Sequence, residues 1–221
     1  MATVVSVMDR ASFKANTDNI VVVDPEERRL TWVPRDLWCE EIGDRVSRAF
    51  ALGEHDLILA ALASHGISVQ HSICLSREAV ESGLEGATVM MPVRERLDLW
   101  YPLYPTGKIK EGRKRVAFEP PVARLSGERI HQWIGARYRV GAGGSDFQRI
   151  RRQHELVAVM LGDGFDFRRF LDSPEAVMVS SQDAIDEVSR VRAGWRFETV
   201  GGLEYARRDE KEVLVREPRS W

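Results

Sequence analysis

A glycine-rich segment that runs into a polar helix holds the residues of this sequence best suited to chemistry. Residues 141–144, Gly-Ala-Gly-Gly, lead directly into a helical pattern that begins at Ser145 or Asp146. Glycine lets backbone N–H groups approach a ligand closely, and a helix N-terminus carries a partial positive charge, so together they attract phosphate. Asp146, Arg149 and Gln153 are spaced to lie on one helical face. The segment predicts either a pyrophosphate-binding site or, on a plainer interpretation, a capped amphipathic helix with surface arginines.

Two aspartates near the start of the chain predict a metal site. Asp9 follows the first apolar run, and Asp18 directly precedes the second. If neighbouring strands bring them together, their carboxylates form a hard oxygen site of the kind that Mg²⁺ prefers. Arg10 and Arg35 would flank that site at strand ends, where α/β sheets usually bind their ligands. Taken singly, an aspartate at either position is more often a turn or cap residue than a metal ligand.

The elements that position these residues alternate between strands and helices. Apolar runs predict strands at 3–8, 19–24, 29–33, 69–75 and 87–91, and helical spacing predicts helices at 56–64, 77–82, 126–136 and 145–161. A helix is also expected to begin within 45–50. Four prolines indicate loops with short extended pieces over 94–124. One or two helices are expected within 165–192, and a terminal hairpin that adds edge strands within 196–217. This alternation predicts an α/β sandwich, as a single domain over residues 1–221.

The bulk composition restricts the class of protein. The chain has 221 residues, of which 43% are hydrophobic and 30% charged, as expected for a globular domain with a real core. A net charge of −2 gives no support to a nucleic-acid-binding protein. Arginine nevertheless far outnumbers lysine, and its planar fork of donors suits phosphate oxygens. Cys39 and Cys74 do not form a CxxC pair, which favours two reduced thiols over a zinc site or a disulfide.

The sequence also bears on location. It contains no run of about 18 apolar residues that would span a membrane, and its start lacks the pattern of a signal peptide. We expect a cytoplasmic protein if the chain is complete, and an extracytoplasmic protein of the cell envelope if an N-terminal anchor has been removed. Peripheral contact with a membrane is compatible with both.

Several of these segments together resemble the LytR–CpsA–Psr family. The resemblance rests on Pro34-Arg35-Asp36 and on residues 145–153, Ser-Asp-Phe-Gln-Arg-Ile-Arg-Arg-Gln, in combination with the early aspartates. It extends over nearly the whole chain, and the closing hairpin at Gly201-Gly202 also resembles the family. It implies an α/β fold with a central mixed β-sheet packed between α-helices, and an apolar tunnel for a polyprenyl chain with a charged mouth.

The resemblance also implies an activity and its residues. Family members transfer a glycosyl phosphate from a polyprenyl pyrophosphate carrier to a hydroxyl of the cell wall, so Mg²⁺ and a lipid-linked glycan are the implied cofactor and partner. Asp9 and Asp18 would hold the Mg²⁺, while Arg35, Asp146 and Arg149 would carry catalysis. Pyrophosphate binding is assigned to seven side chains: Arg10, Arg35, Arg45, Arg137, Arg139, Arg149 and Gln153.

The sequence departs from the family at positions that bear on catalysis. Gly135 stands where the family has the first of two arginines, so that only Arg137 remains, with Arg139 close by. Arg45 stands where the family has lysine, and Ser47 where it has asparagine. Two alternatives therefore stay open beside the transferase: a pyrophosphohydrolase on the same scaffold, and a non-catalytic protein that binds a polyprenyl phosphate.

Overall fold

The protein is known from a computed structural model that describes residues 1–8, 13–103, 112–136, 138–141, 146–208 and 211–216. The strands are β1 Thr3–Met8, β2 Thr17–Asp24, β3 Arg29–Trp32, β4 Trp38–Cys39, β5 Asp44–Arg45, β6 His71–Leu75, β7 Thr88–Pro92, β8 Leu97–Pro102, β9 Arg113–Phe118, β10 Val122–Ser126, β11 Tyr138–Arg139, β12 Val177–Val179, β13 Arg196–Thr199, β14 Leu203–Arg208 and β15 Lys211–Arg216. The helices are α1 Ala49–Ser64, α2 Arg77–Gly83, α3 Glu128–Gly135, α4 Asp146–Gly162 and α5 Gln182–Val188. Among the described residues, no helix combines the length and apolar character needed to cross a bilayer.

The chain divides into two compact units. The first consists of Met1–Gly83 and Phe167–Trp221, and the second of Leu84–Asp166. In the first unit, six strands form a mixed sheet in the order β12, β6, β1, β2, β3, β13. β1 pairs with β6 in parallel and with β2 in antiparallel orientation, and β13 adds a parallel edge beside β3.

Helices cover both faces of this mixed sheet. Successive side chains of a strand point to opposite faces. Val4 of β1 belongs to the same buried apolar cluster as Ile58 and Leu62 of α1. Thr3, on the opposite face, donates a hydrogen bond from Oγ1 to the buried carboxylate of Glu187 in α5. The predicted α/β class and the central mixed sheet packed between helices are therefore confirmed.

The described residues of the second unit form two small antiparallel sheets and two helices. β7 pairs with β10, and β8 lies between β9 and β11. The segment 94–124 was expected to form loops with short extended pieces, and these extended pieces are the paired strands β8, β9 and the start of β10. Pro102 ends β8, and Pro120 and Pro121 lie between β9 and β10, so these prolines stand where a missing N–H does not interrupt a ladder.

Two further details differ from expectation, and one agrees. Within the predicted helical region 165–192, residues Val177–Val179 form the edge strand β12, which pairs with β6. The helix expected to begin within 45–50 and the helical stretch expected at 56–64 form one helix, α1, which is kinked at Gly53 and Glu54. Cys39 and Cys74 are buried free thiols, as expected.

Candidate functional site

An ion pair between Asp18 and Arg35 lies at one end of the mixed sheet. β2 and β3 are antiparallel, so the start of β2 lies beside the residues that follow β3, as the hydrogen bond from Val33 N to Ile20 O shows. Asp18 is the second residue of β2, and Arg35 follows β3 by three positions. Arg35 NH1 donates to Asp18 Oδ1 at 2.6 Å. Strand pairing therefore brings a predicted metal ligand and a predicted phosphate ligand into contact.

Asp36 joins Arg45 to this pair. Its Oδ1 lies 3.3 Å from Arg45 NH1 and 3.8 Å from Arg35 Nε, so a single carboxylate oxygen contacts both guanidinium groups. These contacts are ion pairs by distance and lack hydrogen-bond geometry. Asp18, Arg35, Asp36 and Arg45 together are called the arginine–aspartate network below. Their side chains are 15–34% exposed, so their charges are less screened than those of surface pairs.

Backbone hydrogen bonds fix the turns that carry this network. Val46 N donates to Leu37 O at 2.7 Å, and Ser47 N donates to Arg35 O at 3.2 Å. These two hydrogen bonds connect the residues that follow Arg45 to the segment that contains Arg35. The buried hydroxyl of Thr17 donates to Ser47 O at 2.8 Å and so connects the same turn to β2. The position of Ser47, where the family has asparagine, is thus held through backbone atoms.

The C-terminal hairpin of β14 and β15 supports the network from another direction. Leu214 N donates to Asp36 O at 2.9 Å, and Leu37 forms a parallel bridge with Leu214. Leu214 and Leu37 are both almost fully buried. Asp36 is therefore held at its backbone by the hairpin, while its side chain lies between two arginines.

The chemistry of the network suits a bound phosphate and, in part, a metal. Guanidinium groups are favoured ligands of phosphate oxygens, and a carboxylate is a hard ligand of the type found around Mg²⁺. Asp9 and Arg10 lie outside the described residues, so Asp18 is the one predicted metal ligand whose contacts are known. Across the described part of the chain, no group of three or more His, Cys, Asp or Glu side chains is arranged to hold a metal ion.

In the second unit, α4 buries two arginines. Arg149 is 2% exposed and Arg152 is 6% exposed, although Arg151 between them is fully at the surface. The plainer interpretation of this segment, a helix whose arginines are all at the surface, is therefore wrong for these two positions. Burial, and then the nearby positive charge of Arg149, lower the pKa of Arg152 to about 10. A buried guanidinium is costly unless acceptors or anions compensate it.

For Arg152 the compensating groups are the last carbonyls of α3. Arg152 Nε donates to Trp133 O at 2.8 Å, and its NH2 donates to Ala136 O. A helix leaves its final carbonyls without partners inside the helix, and the C-terminal end of its dipole favours a cation. In return, Trp133 Nε1 donates to the backbone oxygen of Arg152 at 3.1 Å. Arg152 therefore fixes α4 to the end of α3.

Gln153 takes part in the same junction. It is 3% exposed, and its Nε2 donates to Ile134 O at 3.3 Å. Its Oε1 is buried and accepts no hydrogen bond from the described residues. The predicted phosphate contact of Gln153 stays a prediction, and the geometry adds a structural role at the end of α3.

The remaining predicted residues are only partly described. Arg137 and the loop at 142–145 lie outside the described residues, and Asp146 is described as the first residue of α4 without its side chain. Arg139 NH2 forms an ion pair with Glu95 at 3.0 Å. Gly135 is the last residue of α3, and an added Cβ would meet only Tyr101 Cε2, at 3.5 Å, among the described atoms.

Sequence reasoning missed the roles of Asp36 and Arg152. No role was predicted for Asp36 of the Pro34-Arg35-Asp36 segment. A carboxylate next to one arginine and close to a second is nevertheless a signal for an ion-pair bridge. Arg152 lies three residues after Arg149 and therefore on the same side of α4. That spacing could have placed it with the buried face beside Ile150.

Comparison with known proteins finds the same fold in solved structures. No family model and no curated protein sequence matches the chain. TagT bound to LI-WTA matches with a TM-score of 0.66 and 16% identity, over 97% of this chain and 83% of that one. A LytR-CPS2A-psr family protein, YwtF (TagT) with bound octaprenyl pyrophosphate lipid, matches with a TM-score of 0.63 and 15% identity, over 97% and 82%. Protein gbs0355 from Streptococcus agalactiae gives 0.68 and 13%, over 98% and 82%. The chain therefore has the fold of LytR-CPS2A-psr family proteins, as the sequence motifs predicted.

Proposed function

We propose that this chain binds a polyprenyl-pyrophosphate-linked glycan and transfers its glycosyl phosphate to a hydroxyl acceptor, as in the attachment of glycopolymers to the cell wall. The observation that carries the proposal is the arginine–aspartate network, in which Asp18 contacts Arg35 directly and Asp36 contacts both Arg35 and Arg45. The fold supports the same substrate class, because a neighbour of this fold holds octaprenyl pyrophosphate lipid.

In the proposed reaction, the hydroxyl oxygen of the acceptor attacks the phosphorus that carries the glycan. A new P–O bond forms, the bond from that phosphorus to the bridging oxygen of the pyrophosphate breaks, and polyprenyl monophosphate leaves with the bond electrons. The proton of the hydroxyl passes to a base, for which the sequence offers Asp146. Phosphoryl transfer depends mainly on positioning and on stabilisation of charge at the phosphoryl oxygens.

The arginines of the network would supply that positioning. Arg35 is held from Asp18 on one side and Asp36 on the other, so its planar fork has a defined orientation before substrate arrives. Preorganised donors stabilise developing charge without the cost of reorganisation during the reaction. The assignments of Arg10, Arg137, Arg139 and Arg149 to the pyrophosphate remain part of the proposal.

Mg²⁺ dependence also belongs to the proposal. Asp18 has a side chain that is 34% exposed and a carboxylate that can ligate a hard cation while one oxygen accepts from Arg35. Together with Asp9, it would hold the Mg²⁺, which would neutralise charge on the pyrophosphate oxygens.

A specific observation keeps the non-catalytic alternative in view. Gly135 removes one of the two arginines that the family places ahead of its glycine loop, and α3 ends at this glycine in the structure. A site with fewer cations still binds a diphosphate but stabilises the transition state less. The binding protein is therefore the second candidate.

One assay distinguishes these functions. Wild type and Asp18→Ala are incubated with a polyprenyl-pyrophosphate-linked disaccharide and Mg²⁺, with and without an acceptor alcohol, and the lipid and sugar products are measured by mass spectrometry. The transferase predicts glycosyl phosphate on the acceptor with wild type and little with Asp18→Ala. Equal product from both proteins would contradict it. Release of sugar phosphate without acceptor would indicate a pyrophosphohydrolase, and co-purified lipid phosphate without turnover would indicate a binding protein.

A further inference from the structure

The two arginines of the network come from separate segments of the chain. Arg35 belongs to the turn after β3, whereas Arg45 ends the short hairpin of β4 and β5. Two guanidinium groups repel each other, so side chains of this length would separate unless something held them. Asp36 is the group that contacts both, since its Oδ1 lies 3.3 Å from Arg45 NH1 and 3.8 Å from Arg35 Nε. These two nitrogen atoms are therefore no more than 7.1 Å apart, the sum of the two distances.

Backbone hydrogen bonds hold Asp36 and the residue after it in place. Leu214 N donates to its backbone oxygen at 2.9 Å, and the next residue, Leu37, is fully buried and accepts from Val46 N at 2.7 Å. The side chain of Asp36 is 25% exposed, and that of Arg35 is 15% exposed. The ion pairs are thus shielded from solvent more than ordinary surface pairs, which contribute little.

We propose that Asp36 is a positioning residue, which holds the guanidinium groups of Arg35 and Arg45 close enough together to bind the same pyrophosphate group. This inference rests on the proposed function, because it assumes that the network receives a pyrophosphate. Asp36 acts through the two arginines and does not contact the substrate.

The direction in which one substitution changes the affinity distinguishes a positioning role of Asp36 from a simple effect of its charge. Asp36 is an anion close to the proposed pyrophosphate, so if charge alone mattered, Asp36→Asn would remove a repulsion and tighten binding. If Asp36 positions the arginines, the same variant weakens binding even though the site becomes more positive. We expect a loss of about tenfold in affinity, within the range of coupling between contacting residues.

The experiment is a titration of the protein with farnesyl pyrophosphate by isothermal calorimetry. It compares wild type, Asp36→Asn, Arg45→Met and the double variant. Positioning predicts that Asp36→Asn weakens binding about tenfold in the wild-type background and less than about twofold when Arg45 is already replaced, because there is no longer a second guanidinium to hold. Equal or tighter binding by Asp36→Asn, or the same fold-change in both backgrounds, would overturn the inference.

Two further variants protect the test from effects on folding. Asp24→Asn is the matched control, because Asp24 also pairs with an arginine, at 3.1 Å and 19% exposure, but at the opposite end of β2. It should leave the affinity unchanged. Asp36→Glu keeps the charge and displaces the carboxylate by one methylene, so it should also weaken binding, and unchanged affinity would count against positioning.

Failure of the inference can be told from failure of the proposed function. If wild type does not bind farnesyl pyrophosphate at all, the proposed function is contradicted and the role of Asp36 falls with it. If wild type binds and the effects of Asp36→Asn and Arg45→Met on affinity are additive, the proposed binding site is retained and only the positioning role of Asp36 is contradicted.

Discussion

Replacement of Arg152 tests whether a buried cation can stabilise the junction between α3 and α4. In Arg152→Met, a side chain of similar length keeps the apolar packing and loses the guanidinium. The hydrogen bonds from Arg152 to Trp133 O and Ala136 O disappear. Hydrogen bonds from a charged donor contribute about 1.5–3 kcal/mol each, so the loss is roughly 3–6 kcal/mol.

A gain opposes this loss. The lowered pKa of Arg152 expresses a penalty of roughly 3 kcal/mol for keeping its charged form buried beside Arg149. Methionine does not incur that penalty, so roughly 3 kcal/mol of the loss is offset. On balance we expect Arg152→Met to lower the free energy of unfolding by about 1–3 kcal/mol.

Urea denaturation followed by circular dichroism measures this change, and hydrogen exchange of α3 amides gives a local measurement at the junction. Arg151→Met is the matched control, because Arg151 is 77% exposed and pairs only with Glu155, at 3.2 Å, among the described residues. It should cost at most about 0.5 kcal/mol. A neutral or stabilising Arg152→Met would refute the reasoning, since it would mean that desolvation and repulsion outweigh the hydrogen bonds.

Three other outcomes are expected. Gly83→Ala should destabilise the protein by about 1–3 kcal/mol in urea denaturation, because its Cβ would overlap the ring of Phe170 and lie 3.1 Å from the Phe170 backbone N. Gly162→Ala, at the end of α4, should be neutral or stabilising by up to about 1 kcal/mol, because no described atom lies within 4 Å of its Cβ. Equal effects of the two variants would contradict this. Burial lowers the pKa of His154 from 6.5 to about 4. Between these values the imidazole takes up a proton in the unfolded chain but stays neutral in the folded protein. Stability should therefore fall by about 1 kcal/mol between pH 7 and pH 5, after allowance for partial exposure, and His154→Gln should flatten this slope in the same denaturation assay. Gly135→Arg should raise kcat/KM for glycosyl phosphate transfer at least roughly tenfold if the missing arginine limits catalysis, and an unchanged rate would show that it does not.

The fold could be predicted from the sequence more completely than the side-chain contacts of the site. The adjacency of Asp18 and Arg35 was predictable, because the turn at 25–28 makes β2 and β3 an antiparallel pair and so brings the start of one beside the end of the other. The bounds and pairing of β8 and β9 were not predicted, because the prolines outweighed an alternation in which Leu99 and Tyr101 are buried.

The roles of Asp36 and Arg152 depend on distant parts of the chain. Asp36 is held by Leu214, which lies far along the sequence, and Arg152 by the end of α3. Spacing along a single element contains no information about such partners. The burial of Arg149 likewise opposes the general preference of arginine for the surface.

The most direct test of the proposed site is a crystal structure of the protein grown with octaprenyl pyrophosphate. We predict that oxygens of the diphosphate lie within hydrogen-bond distance of the guanidinium groups of both Arg35 and Arg45. A diphosphate bound elsewhere, with Arg35 and Arg45 contacting only Asp18 and Asp36, would contradict the account.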